Sequence, residues 1–250
     1  MVAHFGYSIY ASEYVKVINN RDEVIGDKTI SVGTYNLKSL AFKKEYLDNF
    51  SQDIEGLDLD VICLQEVDKK SLRSDNVDMV KELAQKNNYP YYHFYQTMWL
   101  GKGYYGLGII SKYPITQVAA DLLPNPLLKE PRILTHTIIC YNNENINIYN
   151  THLSYERDQY RTSQLEFVKS HINTKETSIL CGDFNTWDYN EVITVNEMNN
   201  INGDKQYLTF SNSYSVDDIL YTNNLVKLES GMKISSFSDH NLLYSKFEIK

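Results

Sequence analysis

The chain has 250 residues, a formal net charge of −8, 42% hydrophobic residues and 22% charged ones, a balance that suits one large globular domain or two small ones. Lys+Arg 24 against Asp+Glu 32 argues against avid binding to a duplex backbone, although a local basic patch stays open. No apolar run approaches the roughly 18 residues that span a bilayer, and M-V-A-H-F-G-Y-S-I-Y at the start lacks a basic region followed by an apolar core.

Cys63, Cys140 and Cys181 each lie in an apolar, strand-like run. They are expected to be buried small residues rather than a disulfide framework or a metal cluster. A reducing compartment, the cytoplasm, is the matching expectation, as is a monomer.

Residues 1–28 show weak periodicity and are expected to form an N-terminal extension packed on or beside a single domain over 29–250. Thr29 to Asn36 alternates Ile30, Val32, Thr34 and Asn36 on one face, as a strand does. Phe42 to Leu57 carries a helical stripe of Phe42, Tyr46, Leu47, Phe50, Ile54 and Leu57. Val61 to Leu64 reads as a buried strand, with Gln65 and Glu66 at its end. Asn76 to Lys86 is a second amphipathic helix. An aromatic stretch, Tyr89 to Tyr95, leads toward another strand. The glycines between Gly101 and Ile115 permit a tight turn but lack phosphate-loop spacing.

Leu107 to Ser111 is a strand, and Leu122 to Arg132 is a loop with three prolines. Arg132 opens the strand Ile133 to Tyr141, which pairs through N-N-E-N with Ile146 to Thr151. His152 stands at the end of that hairpin. Arg157 to Ile172 is a third helix, on which Arg161 and Gln164 share a face and are expected to make ordering contacts.

Ile179 to Asn185, I-L-C-G-D-F-N, ends an apolar run at a glycine and then presents Asp183 and Asn185. Two residues apart in extended backbone, these side chains point the same way. Residues 186–214 look polar and irregular, with Trp187 as the one large apolar anchor. Ser215 to Tyr221 is a short strand carrying Asp217 and Asp218 among apolar residues, where a carboxylate is costly unless partnered. Asp239 and His240 precede the closing strand, Leu242 to Ile249. Short strands alternating with three helices and hairpins point to a mixed α/β sandwich.

The order of these segments resembles the endonuclease/exonuclease/phosphatase superfamily. The similar blocks are T-Y-N-L at Thr34 to Leu37, L-Q-E-V at Leu64 to Val67, Y-G-L-G-I-I-S-K-Y-P-I at Tyr105 to Ile115 and E-P-R at Glu130 to Arg132. They continue with N-T-H-L at Asn150 to Leu153, C-G-D-F-N at Cys181 to Asn185, V-D-D-I-L at Val216 to Leu220 and F-S-D-H at Phe237 to His240. The resemblance covers residues 29–250.

The resemblance implies a four-layer α/β sandwich, two mixed β-sheets face to face and flanked by helices, as in DNase I-like proteins. It implies a hydrolase of phosphoester bonds that needs Mg²⁺, with Mn²⁺ as the alternative; a hard cation also suits the oxygen ligands on independent grounds. It assigns Glu66 as principal metal ligand, with Asn36 and Asp239 beside it. Asp183 would orient or deprotonate the attacking water, and Asn185 would hold a phosphate oxygen or that water. His240 would contact phosphate or act as base, paired with Asp217. His152 would donate to a phosphate oxygen or act as general acid, and Arg132 would clamp the phosphate.

One departure stands out: the DNase I-like partner acid for the His152 position is missing from the G-K-G-Y-Y stretch. A symmetric pair of acid-supported histidines is therefore not expected. The acidic balance and the tyrosine-rich stretches lean toward a small-molecule or lipid-head-group phosphoester. A nuclease acting on nucleic acid is the alternative, and a catalytically silent binding module the third choice.

Overall fold

The computed structural model describes residues 15–16, 28–38, 43–192, 195 and 198–250. Phe42 and all of the 1–28 extension except residues 15, 16 and 28 fall outside the described residues. Val15–Lys16 form a two-residue strand, β1, antiparallel to the later strand Ile115–Leu122.

Two sheets carry the fold. The six-stranded sheet contains β2 (Thr29–Asn36), β3 (Val61–Lys69), β4 (Tyr91–Leu100) and β5 (Gly103–Ser111). The seven-stranded sheet contains β1, β6 (Ile115–Leu122), β7 (Ile133–Tyr141), β8 (Glu144–His152), β9 (Ser178–Asp183), β10 (Met198–Asn200) and β11 (Asp217–Thr222). β12 (Leu225–Lys233) and β13 (Leu242–Ile249) return to the six-stranded sheet. Its order is β12-β13-β2-β3-β5-β4, and that of the other sheet is β1-β6-β7-β8-β9-β11-β10.

Each sheet is built alike. A parallel pair lies inside, β2 with β3 or β8 with β9, and every other pairing is antiparallel. A parallel pair needs a crossover, and a helix supplies it. α1 (Leu47–Ile54) connects β2 to β3, and α3 (Asp158–His171) connects β8 to β9. α2 (Met79–Lys86) lies between β3 and β4, started by Asp78, whose side chain accepts from the Lys81 N–H. That cap starts the helix at Met79, three residues after the expected Asn76. A single-turn helix, α4 (Tyr189–Val192), follows β9.

Strand alternation divides the apolar residues into three clusters. Ile30 and Val32 of β2, Val61 and Cys63 of β3, Ile146 and Ile148 of β8, and Ile179 and Cys181 of β9 face each other between the sheets. The opposite faces of β2 and β3 pack on α1 and α2 through Tyr35, Ile62, Leu64, Phe50 and Leu83. Tyr149, Leu180 and Leu220 pack on α3 through Leu165 and Val168. The result is a four-layer sandwich. Each fully buried Val, Leu, Ile or Phe side chain in it contributes about 1.5–3 kcal/mol of transfer free energy.

A polar bridge crosses the central layer. Gln65 Nε2 donates to Asn150 Oδ1 at 2.7 Å, and Asn150 Nδ2 donates to the carbonyls of Leu64 and Gly108 at 3.0 and 3.2 Å. These bonds join β8 to β3 and β5 and fix one sheet's position on the other. Cys63 and Cys181 are buried as expected; Cys140 is only half-buried. Arg161 binds Glu191, Asp158 and the Ser154 carbonyl, while Gln164 accepts from Ser154 N and donates to the Pro124 carbonyl. Both are ordering contacts. No helix of the described residues is long and apolar enough to cross a membrane.

Candidate active site

The inward stripe of each central strand continues past the apolar core into polar residues at one end of the sandwich. On β2 the stripe Ile30, Val32, Thr34 ends in Asn36. On β8, Ile146, Ile148, Asn150 ends in His152. On β9, Ile179, Cys181 ends in Asp183, and on β11 Ile219 is preceded by Asp217. Within each parallel pair, β2/β3 and β8/β9, the carboxyl ends lie side by side, and the Asn36–Asp183 hydrogen bond brings the ends of the two pairs together. The parallel register sets His152 beside Asp183 and Asn36 beside Gln65.

Glu66 breaks the alternation. Val61, Cys63 and Gln65 occupy the inward face of β3, so regular pleating would turn Glu66 outward. A bulge between Leu64 and Val67 shifts the register against β5, and Glu66 sits at φ 54°. A bulge re-aims a side chain, and a left-handed non-glycine residue costs about 1–3 kcal/mol. Here the extra residue brings the Glu66 carboxylate to the Asn36 amide, whose Nδ2 donates to Oε1 at 3.2 Å.

Asp183 is the hub. Its Oδ2 accepts from Asn36 Nδ2 at 2.9 Å, and its Oδ1 accepts from the Asn185 N–H at 2.9 Å. His152 Nε2 and His240 Nε2 stand 3.5 and 3.6 Å from the same Oδ2. Those distances exceed a hydrogen bond. The side chain is 1% exposed. Burial, aided by the nearby Asp217 charge, raises its pKa to about 7 against the pull of His240, Asn36 and the Asn185 amide.

The two histidines are held in opposite states. His240 Nδ1–H donates to Asp217 Oδ2 at 2.8 Å. Burial favours the neutral ring, but the Asp217 and Asp183 carboxylates outweigh it and hold the pKa at about 10. At neutral pH His240 is an imidazolium. His152 meets Arg132 instead: the guanidinium Nη1 donates to His152 Nδ1 at 2.8 Å. An acceptor at Nδ1 leaves the proton on Nε2. Burial, then the positive charges of Arg132 and His240, push the His152 pKa well below its usual value. A neutral ring with Nε2–H toward Asp183 is a hydrogen-bond donor, and it holds no second proton to give at pH 7. Arg132, 3% exposed, also pairs with Glu130 at 3.0 Å.

The cleft, about 280 Å³, is lined by Glu66, Arg132, His152, Asp183, Asn185, Asp239 and His240 among others. Asp217 stands behind His240. Every expected site residue therefore lies in one neighbourhood. Asn185, at φ 51°, anchors its side chain by donating from Nδ2 to the Leu153 carbonyl at 2.9 Å. Lys38, Arg73, Glu130, Tyr105, Tyr155 and Phe210 also line the cleft and were not singled out by spacing. Lys38 has one sequence signal, its place two residues after Asn36.

The donor set fits a hard divalent cation. Glu66, Asp239 and the Asn36 amide are oxygen donors, and a cation already sits against one of them: the Lys38 ammonium lies 2.7 Å from Asp239. Burial raises the Glu66 pKa, the response of a carboxylate short of positive charge. Asp183, Asp217 and His240 also cluster closely enough to hold an ion, but Asp217 Oδ2 is already engaged by His240. The Asn36 Oδ1 accepts from the Lys38 N–H at 3.0 Å, so in this arrangement the residue bridges Glu66 and Asp183 through its nitrogen.

The sequence profile of the Endonuclease/Exonuclease/phosphatase family matches residues 33–240. The chain belongs to that family. A search of curated proteins finds no match. Among solved structures, an endonuclease/exonuclease/phosphatase from Beutenbergia cavernae DSM 12333 aligns with TM-score 0.73 and 18% identity, covering 89% of this chain and 72% of that one. The human Nocturnin catalytic domain with bound sulfate aligns with TM-score 0.71 and 18% identity, covering 96% of this chain and 97% of that one. Bacteroides thetaiotaomicron mannosyl-6-phosphatase aligns with TM-score 0.66 and 14% identity, covering 87% and 99%. At these identities the likeness concerns the fold. It agrees with the two-sheet sandwich of the endonuclease/exonuclease/phosphatase family.

Two expectations for the 186–214 segment fail. Trp187 is not a buried anchor: it is 63% exposed. The apolar residues that fix the 186–214 segment are Val192, Val195 and Ile201, all buried, and β10 gives that segment a strand where none was expected.

Proposed function

We propose that this protein hydrolyses phosphoester bonds, with water attacking phosphorus, on a small-molecule or lipid-head-group phosphoester. The supporting observation is the meeting at Asp183 Oδ2 of groups from both sheets: the Asn36 amide at 2.9 Å and two imidazole nitrogens at 3.5 and 3.6 Å. The cleft of about 280 Å³ onto which these groups open has room for the reacting atoms.

Each residue then has a role its environment suits. Asp183, with a pKa near 7, takes the proton of the attacking water. His240, an imidazolium backed by Asp217, holds a non-bridging phosphate oxygen as charge builds there. His152 donates from Nε2 to another oxygen, fixed in that tautomer by Arg132, which also adds positive charge behind it. Asn185 orients water or phosphate. Glu66, Asn36 and Asp239 would hold Mg²⁺ or Mn²⁺, which supplies charge neutralisation at the phosphate when bound. Residues 29–250 act as one catalytic domain, with 1–28 as an N-terminal extension.

A nuclease reading has one observation in its favour: three cations, Lys38, Arg73 and Arg132, line the cleft of an acidic protein, each beside a carboxylate.

The test is turnover of bis-p-nitrophenyl phosphate, glycerol 3-phosphate and plasmid DNA with Mg²⁺ and with EDTA. Cation-dependent release from a small ester is expected, with Glu66→Gln raising the Mg²⁺ concentration needed about tenfold. Equal rates in EDTA, or no turnover with any divalent cation, would sink the proposal. Plasmid nicking at low enzyme, lost in Asp183→Asn, would shift it to the nuclease reading.

A further inference from the structure

Trp187 is one end of a line of rings that begins at the reacting centre. The Phe210 ring lies 4.9 Å from His240, centroid to centroid. Tyr214 lies 6.4 Å from Phe210, and Trp187 lies 5.3 Å from Tyr214. Phe210 lines the cleft. Tyr214 is 48% exposed, and Trp187 more so. Single exposed apolar residues are ordinary, but contiguous ones beside a cleft mark a binding surface.

The line is carried by the catalytic loops themselves. Phe210 and Tyr214 exchange both backbone hydrogen bonds, at 2.8 and 3.0 Å. The Ser211 N–H donates to the Asp239 carbonyl at 2.6 Å, and the Asn241 N–H donates to the Thr209 carbonyl at 2.7 Å. Trp187 stands two residues beyond Asn185. The backbone of Phe210 and Tyr214 is thus tied to the Asp239 loop, and Trp187 follows Asn185, so the rings flank the phosphate site on both sides.

Two polar groups at this turn are engaged within the protein. Asn212 Oδ1 accepts from Asn241 Nδ2, and the Ser213 hydroxyl donates to the Ser211 carbonyl. What the line presents to solvent is aromatic surface, Tyr214 and Trp187 both being exposed. A flat π-system is the partner such faces suit, and its stacking is tolerant of ring identity. The acidic surface disfavours a long polyanion.

We propose that Phe210, Tyr214 and Trp187 form a stacking platform for the base of a small nucleotide ester whose phosphate lies at His240. This rests on the hydrolase reading above and narrows its substrate from small phosphoesters in general to nucleotides.

The experiment separates the two. Trp99 and Trp187 are the only tryptophans, so Trp99→Phe leaves Trp187 as sole fluorophore. That variant is titrated in Mg²⁺ with adenosine 5′-monophosphate, adenylyl-adenosine, mannose 6-phosphate and glycerol 3-phosphate. Saturable quenching by the two adenosine compounds alone is expected. Tyr214→Ala should weaken it about tenfold, the scale of one base stack, and Tyr214→Phe should not. In turnover, Trp187→Ala should raise KM for adenylyl-adenosine about tenfold with kcat unchanged, and leave glycerol 3-phosphate kinetics alone. Equal quenching by mannose 6-phosphate, no quenching by either adenosine compound, or equal losses on both substrates would overturn the platform. Hydrolysis of glycerol 3-phosphate without nucleotide quenching removes the platform and keeps the hydrolase; quenching without any hydrolysis does the reverse.

Discussion

The two sheets have the same plan and present different chemistry. In each, a strand crosses through a helix to a parallel neighbour, and the site residues lie at the carboxyl ends of that pair. At the seven-stranded end the carboxylate, Asp183, closes a regular strand, is fully buried, and has two imidazoles within 3.6 Å. At the six-stranded end the carboxylate, Glu66, rides a bulge, is only half-buried, and faces the cleft beside Asp239 and Lys38. The contrast teaches that one topology can hold one acid where protons are exchanged and another where a cation can reach it. Substitutions at the seven-stranded end should therefore reduce kcat, and those at the six-stranded end should change cation affinity.

The sharpest break is Asp183→Asn. It keeps the shape, removes the base, and should lower kcat about 10³-fold or more with little change in the Mg²⁺ requirement. A loss repaired by excess Mg²⁺ would merge the two ends into one role.

Next is Asp217→Asn, expected to cost about 10²-fold in kcat and to change the pH response of the cation-free protein. Asp183 and His240 both bind protons more tightly folded than unfolded, to about 7 and about 10. Their unfolded values are about 3.9 and 6.5. Stability from each is full below the unfolded value and is lost as pH rises through the folded one. The melting temperature in EDTA should fall from pH 5 to pH 10. Asp217→Asn should flatten the part above pH 7, because His240 loses its partner. A melting temperature that climbs over that range would contradict the assignment of charges.

A smaller effect is expected for Arg132→Gln. The neutral amide no longer supplies a charge against His152, so that ring titrates closer to its ordinary range and turnover falls about tenfold. NMR of the His152 ring should show Nε2–H in the parent and a mixed tautomer in the variant. An unchanged spectrum would remove Arg132 from the site's electrostatics. The least effect belongs to Lys38→Met. Part-exposed pairs like Lys38–Asp239 are worth about 0–1 kcal/mol, so releasing Asp239 should tighten Mg²⁺ by a few-fold at most, measured by calorimetry. Weakened binding would mean that Lys38 supports the cation site.

The contrast also marks where sequence reasoning succeeds. Asn36, His152, Asp183 and Asp217 continue inward stripes of period two, so pattern alone places them at the end of the core. Glu66 does not: alternation points Gln65 inward, and only the bulge corrects it. Nothing in L-Q-E-V announces a residue at positive φ. The Arg132–His152 contact is not legible either: the β7–β8 register, with Tyr141 opposite Glu144 and Leu134 opposite Thr151, sets Ile133 opposite His152 and leaves Arg132, outside the strand, one step past it. β12 left no pattern because it is an edge strand whose Val226 and Leu228 face solvent. Trp187 is large yet exposed, because side-chain size alone does not decide burial.

The hydrogen bond from Asn36 to Asp183 closes a loop of 147 positions, and that from Ser238 to the Asn36 carbonyl closes one of 202. Contacts so remote along the chain form late and slowly. Neither sheet carries a working half of the centre that could function while the other is still forming. Activity should consequently appear as a single event at the end of refolding, which makes catalysis itself a stricter clock of complete assembly than any spectroscopic signal from one layer.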